Sequence, residues 1–330
     1  MARSKQRSAA QRREQTRQQR QQRLNATQQN VQKRERAKKG RKQSQGNSWW
    51  LIIGISVMVV VVIGAFLLFR QIQNQQLQAG EAQALKVLTT PDSTVLSTVG
   101  AGNTKNTMQA ITDTPLKGPT GKPLFLYVGA DYCPYCASLR WAIINSLSRF
   151  GKFGPIEAII SGESNIPTFT FHNVQYTSQY IDAALYEQGD NTPPPNTRPL
   201  DKVPAEYEQI MQKYGQLTGN GIPFVDIANQ RISAGSYYQP DVLANRSYED
   251  ISAQLKDPNS DIARGIYGSS NLLTAAICEA TNNQPANVCK DPVIQQIQQS
   301  LPKTTGVAAG NTQLASFTGL PEAIVERRRL

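Results

Sequence analysis

Two of the four cysteines in the chain, Cys133 and Cys136, are separated by only two residues. A pair with this spacing can form a small disulfide that opens easily and exchanges with other thiols. An apolar run, residues 124–128, precedes the pair, and apolar residues recur at helical spacing from residue 137 onward. The two cysteines are therefore expected at a junction between a strand and a helix.

This junction favours an acidic thiol at Cys133. The first turn of a helix offers unpaired backbone N–H groups and the positive end of the helix dipole, and both stabilise a thiolate. The sequence predicts Cys133 as the thiol that attacks or is attacked, and Cys136 as the resolving thiol. Pro134 suits the first helical turn because it has no N–H to leave unpaired, and Tyr135 can flank an approaching substrate.

A closed structural zinc site is one alternative to redox chemistry. Such a site takes four ligands, and the chain offers one histidine, His172, and two further cysteines, Cys278 and Cys289. A Cys₄ site from all four thiols and an inert structural disulfide between Cys133 and Cys136 are both left open. We expect no metal and no other cofactor in the leading interpretation.

Cys278 and Cys289 bracket a polar segment rich in Asn and containing Pro, both of which favour turns. A disulfide between them would close a small loop and stabilise the fold. We expect this bridge to be structural. The alternative is a second pair that exchanges with thiols.

The N-terminal part of the chain carries most of the charge. Residues 1–48 contain 15 Lys or Arg and two Glu, a net charge of +13 in a chain whose total is +11, so the other residues sum to −2. These 48 residues have few apolar side chains and are predicted to form a disordered basic tail. They could attract anionic lipid, but no aromatic residue precedes Trp49 to stack on bases, so nucleic-acid binding is not expected.

Residues 49–69 contain no charged side chain and would span about 31 Å as a helix, which predicts one transmembrane crossing. A cleaved signal peptide has a shorter apolar region, so an uncleaved signal-anchor is favoured. Basic residues beside an anchor stay in the cytoplasm. The protein is therefore predicted to be a single-pass cell-membrane protein with a cytoplasmic N-terminus, and all four cysteines are expected outside the cytoplasm, where disulfides persist.

The chain after the anchor is predicted to contain a polar linker, one folded domain and a flexible tail, at residues 70–84, 85–302 and 303–330. In the domain, residues 156–160 are a second candidate strand, which after a helix implies a parallel neighbour of the first. Residues 161–219 are interpreted as an insertion. Residues 225–228 and 231–238 then suggest a hairpin, which is preceded by Ile222 and Pro223.

The sequence VGADYCPYCASLRWAIINSLSRFG, residues 128–151, resembles the thioredoxin-like superfamily when taken with Ile222 and Pro223 before a hairpin and with the terminal helices. The Pro-Tyr pair between the cysteines is similar to glutaredoxins, and the anchor and insertion resemble extracytoplasmic DsbA-type oxidoreductases. Together with ICEATNNQPANVC, residues 277–289, the motif looks like a family of membrane-anchored thioredoxin-like proteins known mainly as a domain of unknown function. The resemblance covers residues 91–301.

The resemblance implies an α/β thioredoxin-like fold in which Cys133 is the nucleophile, Cys136 the resolving thiol and Pro223 a cis proline beside them. It also implies that Ile222 offers backbone groups to an extended substrate. Thioredoxins carry an acidic residue six positions before the first cysteine, where it assists proton transfer, but Tyr127 occupies that position here. Asp131, two residues before Cys133, is expected to be too exposed to replace it.

The sequence therefore predicts a membrane-anchored, extracytoplasmic thiol-disulfide oxidoreductase with a redox-active centre at Cys133 and Cys136. Its expected partners are extracytoplasmic protein thiols or disulfides and a redox partner that resets the pair. A module that binds a soft metal such as copper through the same thiols is the first alternative. A structural envelope protein without catalytic activity is the second.

Overall fold

The computed structural model describes residues 2–42, 48–105 and 108–303. The chain divides into two compact units, Met1–Gln75 and Gln76–Leu330. The flexible tail predicted for residues 303–330 lies outside the described residues, except for Lys303.

A helix, α1 (Ala2–Lys42), occupies most of the segment that the sequence predicts to be disordered. The described side chains of this helix, residues 14–36, are all exposed. The segment is rich in Gln, Arg, Lys and Ala, which have high helix propensity, and it contains no proline. Low hydrophobicity excludes a core here but does not exclude a helix.

The second helix, α2 (Ser48–Thr89), contains the apolar segment predicted as an anchor. Among the described residues, Ile53–Thr89 is the one stretch that is long and apolar enough to cross a membrane. The predicted polar linker, residues 70–84, is helical and belongs to α2. Gln and Ala in this stretch favour continuation of the helix.

Nine strands are present in the part of the chain that the structure describes. They are β1 (Gln109–Ala110), β2 (Leu124–Gly129), β3 (Gly151–Phe153), β4 (Ala158–Ile160), β5 (Pro167–Phe169), β6 (Tyr176–Ser178), β7 (Asp182–Glu187), β8 (Phe224–Ile227) and β9 (Arg231–Ala234). Five of them form one sheet in the order β1-β9-β8-β2-β7. Strand β7 runs parallel to β2, and every other neighbouring pair in this sheet is antiparallel.

Seven further α-helices belong to the second unit as the structure describes it. They are α3 (Ser93–Val99), α4 (Pro134–Ser148), α5 (Ala205–Thr218), α6 (Tyr248–Gln254), α7 (Asp261–Ala280), α8 (Ala286–Cys289) and α9 (Pro292–Ser300). A short 3₁₀ helix, Pro240–Val242, precedes α6.

The five-stranded sheet separates two apolar clusters. Phe125 and Tyr127 of β2 share one cluster with the buried residues of α4 and α7. Leu126 and Val128 share the other with Tyr207 and other residues of α5. This alternation follows from the two-residue period of a strand, and it makes β2 an interior, fully buried strand of a mixed α/β fold.

The sheet topology corrects the interpretation of the middle of the domain. Strand β4, within the predicted second strand, pairs with β5 in a separate two-stranded sheet and does not join β2. The parallel neighbour of β2 is β7, which lies inside residues 161–219, the predicted insertion. Apolar content suggested a buried strand at residues 156–160, but pairing is decided by contacts that the local sequence does not show. Residues 149–181, which contain β3, β4, β5 and β6, therefore connect α4 to β7.

Candidate functional site

The two cysteines lie where strand β2 gives way to helix α4. Strand β2 ends at Gly129, α4 begins at Pro134, and Cys133 is the N-cap residue of the helix. The Cys133 Sγ atom accepts a hydrogen bond from the backbone N–H of Cys136 at 3.4 Å. This is the junction that the sequence predicts, and it directs a helix N-terminal N–H group at the first sulfur.

The loop before β8 faces Cys133. The Ile222–Pro223 peptide bond is cis, and the Cys133 Sγ atom lies 4.0 Å from the Ile222 carbonyl oxygen. Pro223 is buried and Ile222 is half-buried. The structure therefore brings the predicted residues of the loop and of the helix together.

The two thiols differ in depth. Cys133 is 6% exposed and Cys136 is completely buried behind it. Pro134 is half-buried, whereas Tyr135, at 48% exposure, is the most accessible residue of the motif. Tyr132 and Ile222 pack against the two cysteines. A reagent or substrate therefore meets Cys133 first.

The environments of the two sulfurs move their pKa values apart. The pKa of Cys133 is lowered to about 7, chiefly by a hydrogen bond with the Cys136 side chain and, against the cost of burial, by the N–H groups of Cys136 and Tyr135. Burial raises the pKa of Cys136, and the neighbouring Cys133 raises it further. Near neutral pH the first sulfur is thus substantially a thiolate and the second is a thiol.

A buried ionic cluster, composed of Arg140, Glu187 and Asp131, lies in the same region of the domain. Arg140 is on α4, four residues after Cys136, and its Nη1 atom lies 2.8 Å from Oε1 of Glu187 and 3.4 Å from Oδ1 of Asp131. The side chains of Arg140 and Glu187 have no exposed surface, and Asp131 has very little. The Arg140–Glu187 contact is the shorter of the two ion pairs that Arg140 forms in this cluster.

Burial and charge shift the acidities within this cluster. Burial raises the pKa of Glu187 to about 7 although Arg140 lowers it, and the Asp131 charge adds to the rise. Burial also raises the pKa of Asp131, against Arg140 and a hydrogen bond from Thr170. Burial opposes the charge of Arg140 more than any single neighbour supports it, but Glu187 and the other acidic groups around it together raise the pKa of Arg140. The Glu187 charge also contributes to the raised pKa of Cys136.

Asp131 differs from its expected exposure. It is buried, and its Oδ2 atom accepts a hydrogen bond of 3.1 Å from the Thr170 hydroxyl. Its backbone N–H donates to the Gly189 carbonyl oxygen in the loop after β7. Neighbouring segments cover this side chain, which the position of Asp131 in a short loop could not reveal.

Tyr127 is in the position where thioredoxins carry an acidic residue. Its phenol lies against Gly129 of the same strand. Its hydroxyl is buried and has no hydrogen-bond partner among the described residues. A Cβ atom on Gly129 would lie only 2.1 Å from the Tyr127 Oη atom, so the missing side chain of Gly129 gives the phenol its space.

Sequence reasoning missed Arg140 and Glu187. The sequence did contain an indication of Arg140, because it is a charged residue within the apolar run of α4. It follows Cys133 by seven residues and Cys136 by four, which places it on the same helical face. The sequence contained no comparable indication of Glu187, because this residue is brought to the site only by the register that pairs it with Gly129 on the parallel strand β2.

Cys278 and Cys289 form a disulfide, and both residues are completely buried. Their burial shields the sulfurs from an attacking thiol. Because two of the four sulfurs are bonded to each other, the four cysteines do not form a Cys₄ site in this structure. Within residues 2–42, 48–105 and 108–303, no group of three or more His, Cys, Asp or Glu is arranged to hold a metal ion.

His172 is the one histidine of the chain. It is not part of the hydrogen-bond network that the structure describes around the two free thiols. Its Nδ1 atom is 2.6 Å from Oδ1 of Asp201, and Oδ2 of Asp201 accepts the backbone N–H of Glu187 at 2.9 Å. His172 therefore helps to hold the segment that carries Glu187.

Comparison with known proteins gives one finding. The family described as domain of unknown function (DUF929) matches residues 114–279, half of the chain, and this segment contains Cys133, Cys136, Arg140 and Glu187. No curated protein and no solved structure matches the chain significantly. By the extent of the family match, the chain belongs to the DUF929 family.

Proposed function

We propose that the protein is a membrane-anchored, extracytoplasmic thiol-disulfide oxidoreductase with a thioredoxin-like fold. The observation that carries the proposal is the pairing of an N-cap thiol, Cys133, whose pKa is lowered to about 7, with a second, buried thiol at Cys136. A structural cysteine pair has no need of an acidic first sulfur, whereas a nucleophile does.

The reaction proceeds in two exchange steps. The Cys133 thiolate attacks one sulfur of a substrate disulfide, and the other substrate sulfur leaves as a thiolate. The first substrate thiolate takes up the proton of Cys136, and the Cys136 sulfur attacks the Cys133 sulfur, which releases the second substrate sulfur as a thiolate and leaves a Cys133–Cys136 disulfide. The same two steps in reverse oxidise a substrate dithiol. In either direction, an extracytoplasmic thiol or disulfide partner must return the cysteine pair to its starting state.

The surroundings of Cys133 support an extended protein segment as substrate. The Ile222 carbonyl oxygen lies beside the sulfur, and Tyr135 presents an exposed aromatic ring at the mouth of the site. Pro223, the next residue of the same loop, is buried. Together these groups offer a backbone acceptor and an apolar surface to a chain that passes over Cys133.

The elements around the motif support the thioredoxin-like interpretation. Strand β2 and helix α4 carry the cysteines, and the proline loop leads into the hairpin of β8 and β9. The apolar part of α2 supports the anchor, and the basic residues before it support a cytoplasmic N-terminus. The Cys278–Cys289 disulfide is consistent with an oxidising compartment.

The test uses the full-length protein in membranes or detergent. Exchange with a peptide disulfide is measured for wild type, Cys133→Ser and Cys136→Ser. We expect turnover for wild type, none for Cys133→Ser, and a mixed disulfide trapped on Cys133 in Cys136→Ser, because that variant cannot complete the second step. Exchange that is unchanged in Cys133→Ser would overturn the proposal.

The same protein preparations also test the two alternative functions. Stoichiometric binding of Cu(I) to the reduced protein without turnover of disulfides would indicate a soft-metal module. A Cys133–Cys136 disulfide that persists in mild reductant, with no exchange, would indicate a structural protein.

A further inference from the structure

The buried ionic cluster of Arg140, Glu187 and Asp131 is unequal in charge. One guanidinium faces two carboxyl groups, and all three side chains are almost completely removed from solvent. With both carboxylates ionised the cluster has a net charge of −1. A thiolate at Cys133 adds a further negative charge in the same region, since Arg140 also contributes to stabilising that thiolate.

The other titratable groups around Glu187 do not balance this charge. Tyr127 of β2 faces the cluster with a hydroxyl that has no hydrogen-bond partner among the described residues, and its pKa is raised by burial. Cys136 of α4 is a buried thiol. Behind Glu187, Asp201 accepts its backbone N–H and is itself paired with His172. Arg140 is therefore the one permanent cation in direct contact with Glu187 among the described residues.

A second buried negative charge is expensive in a medium of low polarity unless a cation faces it. When the Cys133 thiolate is present, the least costly adjustment is a proton on one carboxyl group. Glu187 is the better candidate, because its side chain is completely buried, whereas Asp131 keeps a little exposed surface and accepts a hydrogen bond from the Thr170 hydroxyl.

We propose that Glu187 is protonated when Cys133 and Cys136 are reduced and ionised when they form a disulfide, so that the Cys133 thiolate and the Glu187 carboxylate alternate as the additional anion beside Arg140. Glu187 is thus the proton-coupling group of the redox centre, and Arg140 is a positioning residue. This inference rests on the proposed redox function.

The step balances in atoms and charge. A substrate dithiol gives two electrons and two protons to the Cys133–Cys136 disulfide and becomes a disulfide itself. One proton is bound by the Cys136 sulfur and the other by the Glu187 carboxylate, while the Cys133 sulfur remains a thiolate. The net charge of the cluster and the two sulfurs is −1 before and after the exchange.

The proposal predicts an additional proton in the redox equilibrium. Near pH 7, wild type takes up one more proton for each disulfide reduced than Glu187→Gln does. Its equilibrium constant against a reference dithiol therefore changes by a further tenfold per pH unit, about 30 mV per pH unit. The dependence is measured by equilibrating the full-length protein with a dithiol buffer at several pH values and trapping the thiols with an alkylating reagent.

Asp226→Asn is the matched control. Asp226 is another buried carboxyl group whose pKa burial raises to about 7, but its neighbours are Asn229 and Asp113 and not the cysteines. This control has the pH dependence of wild type if the effect is specific to Glu187. Equal pH dependence in wild type and Glu187→Gln would overturn the inference while leaving the redox function intact, whereas absence of any equilibration with the dithiol would remove the proposed function itself.

A second measurement does not depend on the folding of a variant. Reduction of wild type carrying ¹³C-labelled glutamate is followed by difference infrared spectroscopy. A new band from a protonated glutamate carboxyl group supports the inference, provided that it is absent in a Cys133→Ala, Cys136→Ala variant. A spectrum without such a band overturns it.

Discussion

Arg140 on α4 and Glu187 at the end of β7 form an ion pair with 2.8 Å between Nη1 and Oε1, and neither side chain has exposed surface. The pair joins the helix that begins at Cys133 to the strand that runs beside β2. It therefore connects the fold of the domain to the electrostatics of its free thiols.

Arg140→Leu should be strongly destabilising. The change leaves Glu187 and Asp131 without their buried cation, and loss of one partner of a buried pair costs about 3–5 kcal/mol. Urea unfolding measures this loss. The double variant Arg140→Leu, Glu187→Leu should lose less than the sum of the two single changes. Additive losses would show that the two side chains are not coupled.

Stability should fall as the pH rises from about 4.5 to 7. The pKa of Glu187 is raised from 4.5 to about 7 in the folded protein, so the folded state holds a proton that the unfolded state has lost, and unfolding becomes easier with increasing pH. The contribution is on the order of 3 kcal/mol. Glu187→Gln should flatten this part of the stability profile of the reduced protein, and Asp226→Asn should flatten it independently. An unchanged slope in Glu187→Gln would contradict the assignment.

Alkylation should distinguish the two free thiols. Cys133 is expected to react with a midpoint near pH 7, while Cys136 stays unreactive until higher pH because burial raises its pKa. The hydrogen bond from the Cys136 side chain makes the largest contribution to the lowered pKa of Cys133. Cys136→Ala should therefore move the midpoint upward, and Cys136→Ser, which keeps a donor, should move it less. Mass spectrometry of the modified peptides gives both midpoints.

Removal of the Cys278–Cys289 disulfide should affect stability without affecting redox chemistry. The bridge closes a loop with a sequence separation of 11 residues, which corresponds to about 3 kcal/mol on the chain-entropy model. A Cys278→Ala, Cys289→Ala variant should lose about this amount in denaturant unfolding and keep the exchange rate of Cys133. A large fall in exchange rate in the folded variant would indicate that this disulfide takes part in the reaction.

Membrane orientation can be tested with single introduced cysteines in a Cys133→Ser, Cys136→Ser background. Thr27 and Asn259 are both exposed, one in α1 and the other after α6. In intact cells a membrane-impermeant maleimide should label Asn259→Cys and leave Thr27→Cys unlabelled until the cells are lysed. The opposite pattern would reverse the proposed topology.

The local signals in the sequence were sufficient for the motif. The apolar run predicted strand β2, the helical spacing after it predicted α4, and Ile222 and Pro223 were expected at the start of a hairpin, where β8 and β9 are found. Each of these features depends on residues that are close together in the chain.

Features that depend on distant contacts were not predictable. Helix α7 is continuous through Gly268, although glycine disfavours the interior of a helix. The structure explains the glycine by close packing, since a Cβ atom at Gly268 would lie 2.5 Å from the carbonyl oxygen of Ala101. The place of Glu187 in the site could not be predicted either, because only the pairing of β7 with β2 places this residue beside Arg140.

The register of β7 against β2 has a consequence for the newly made chain. Gly129 and Glu187 are opposite each other only after residues 149–181 have been arranged and β7 has docked in parallel. A slip of one residue would turn the Glu187 side chain to the other face of the sheet. Before that docking, Arg140 lacks its closest carboxylate partner, and Cys136 lacks the nearby Glu187 charge that contributes to its raised pKa. The acidity of the first thiol is thus set largely by its own helix turn, whereas the weak acidity of the second also depends on a strand that pairs more than 40 residues later in the chain.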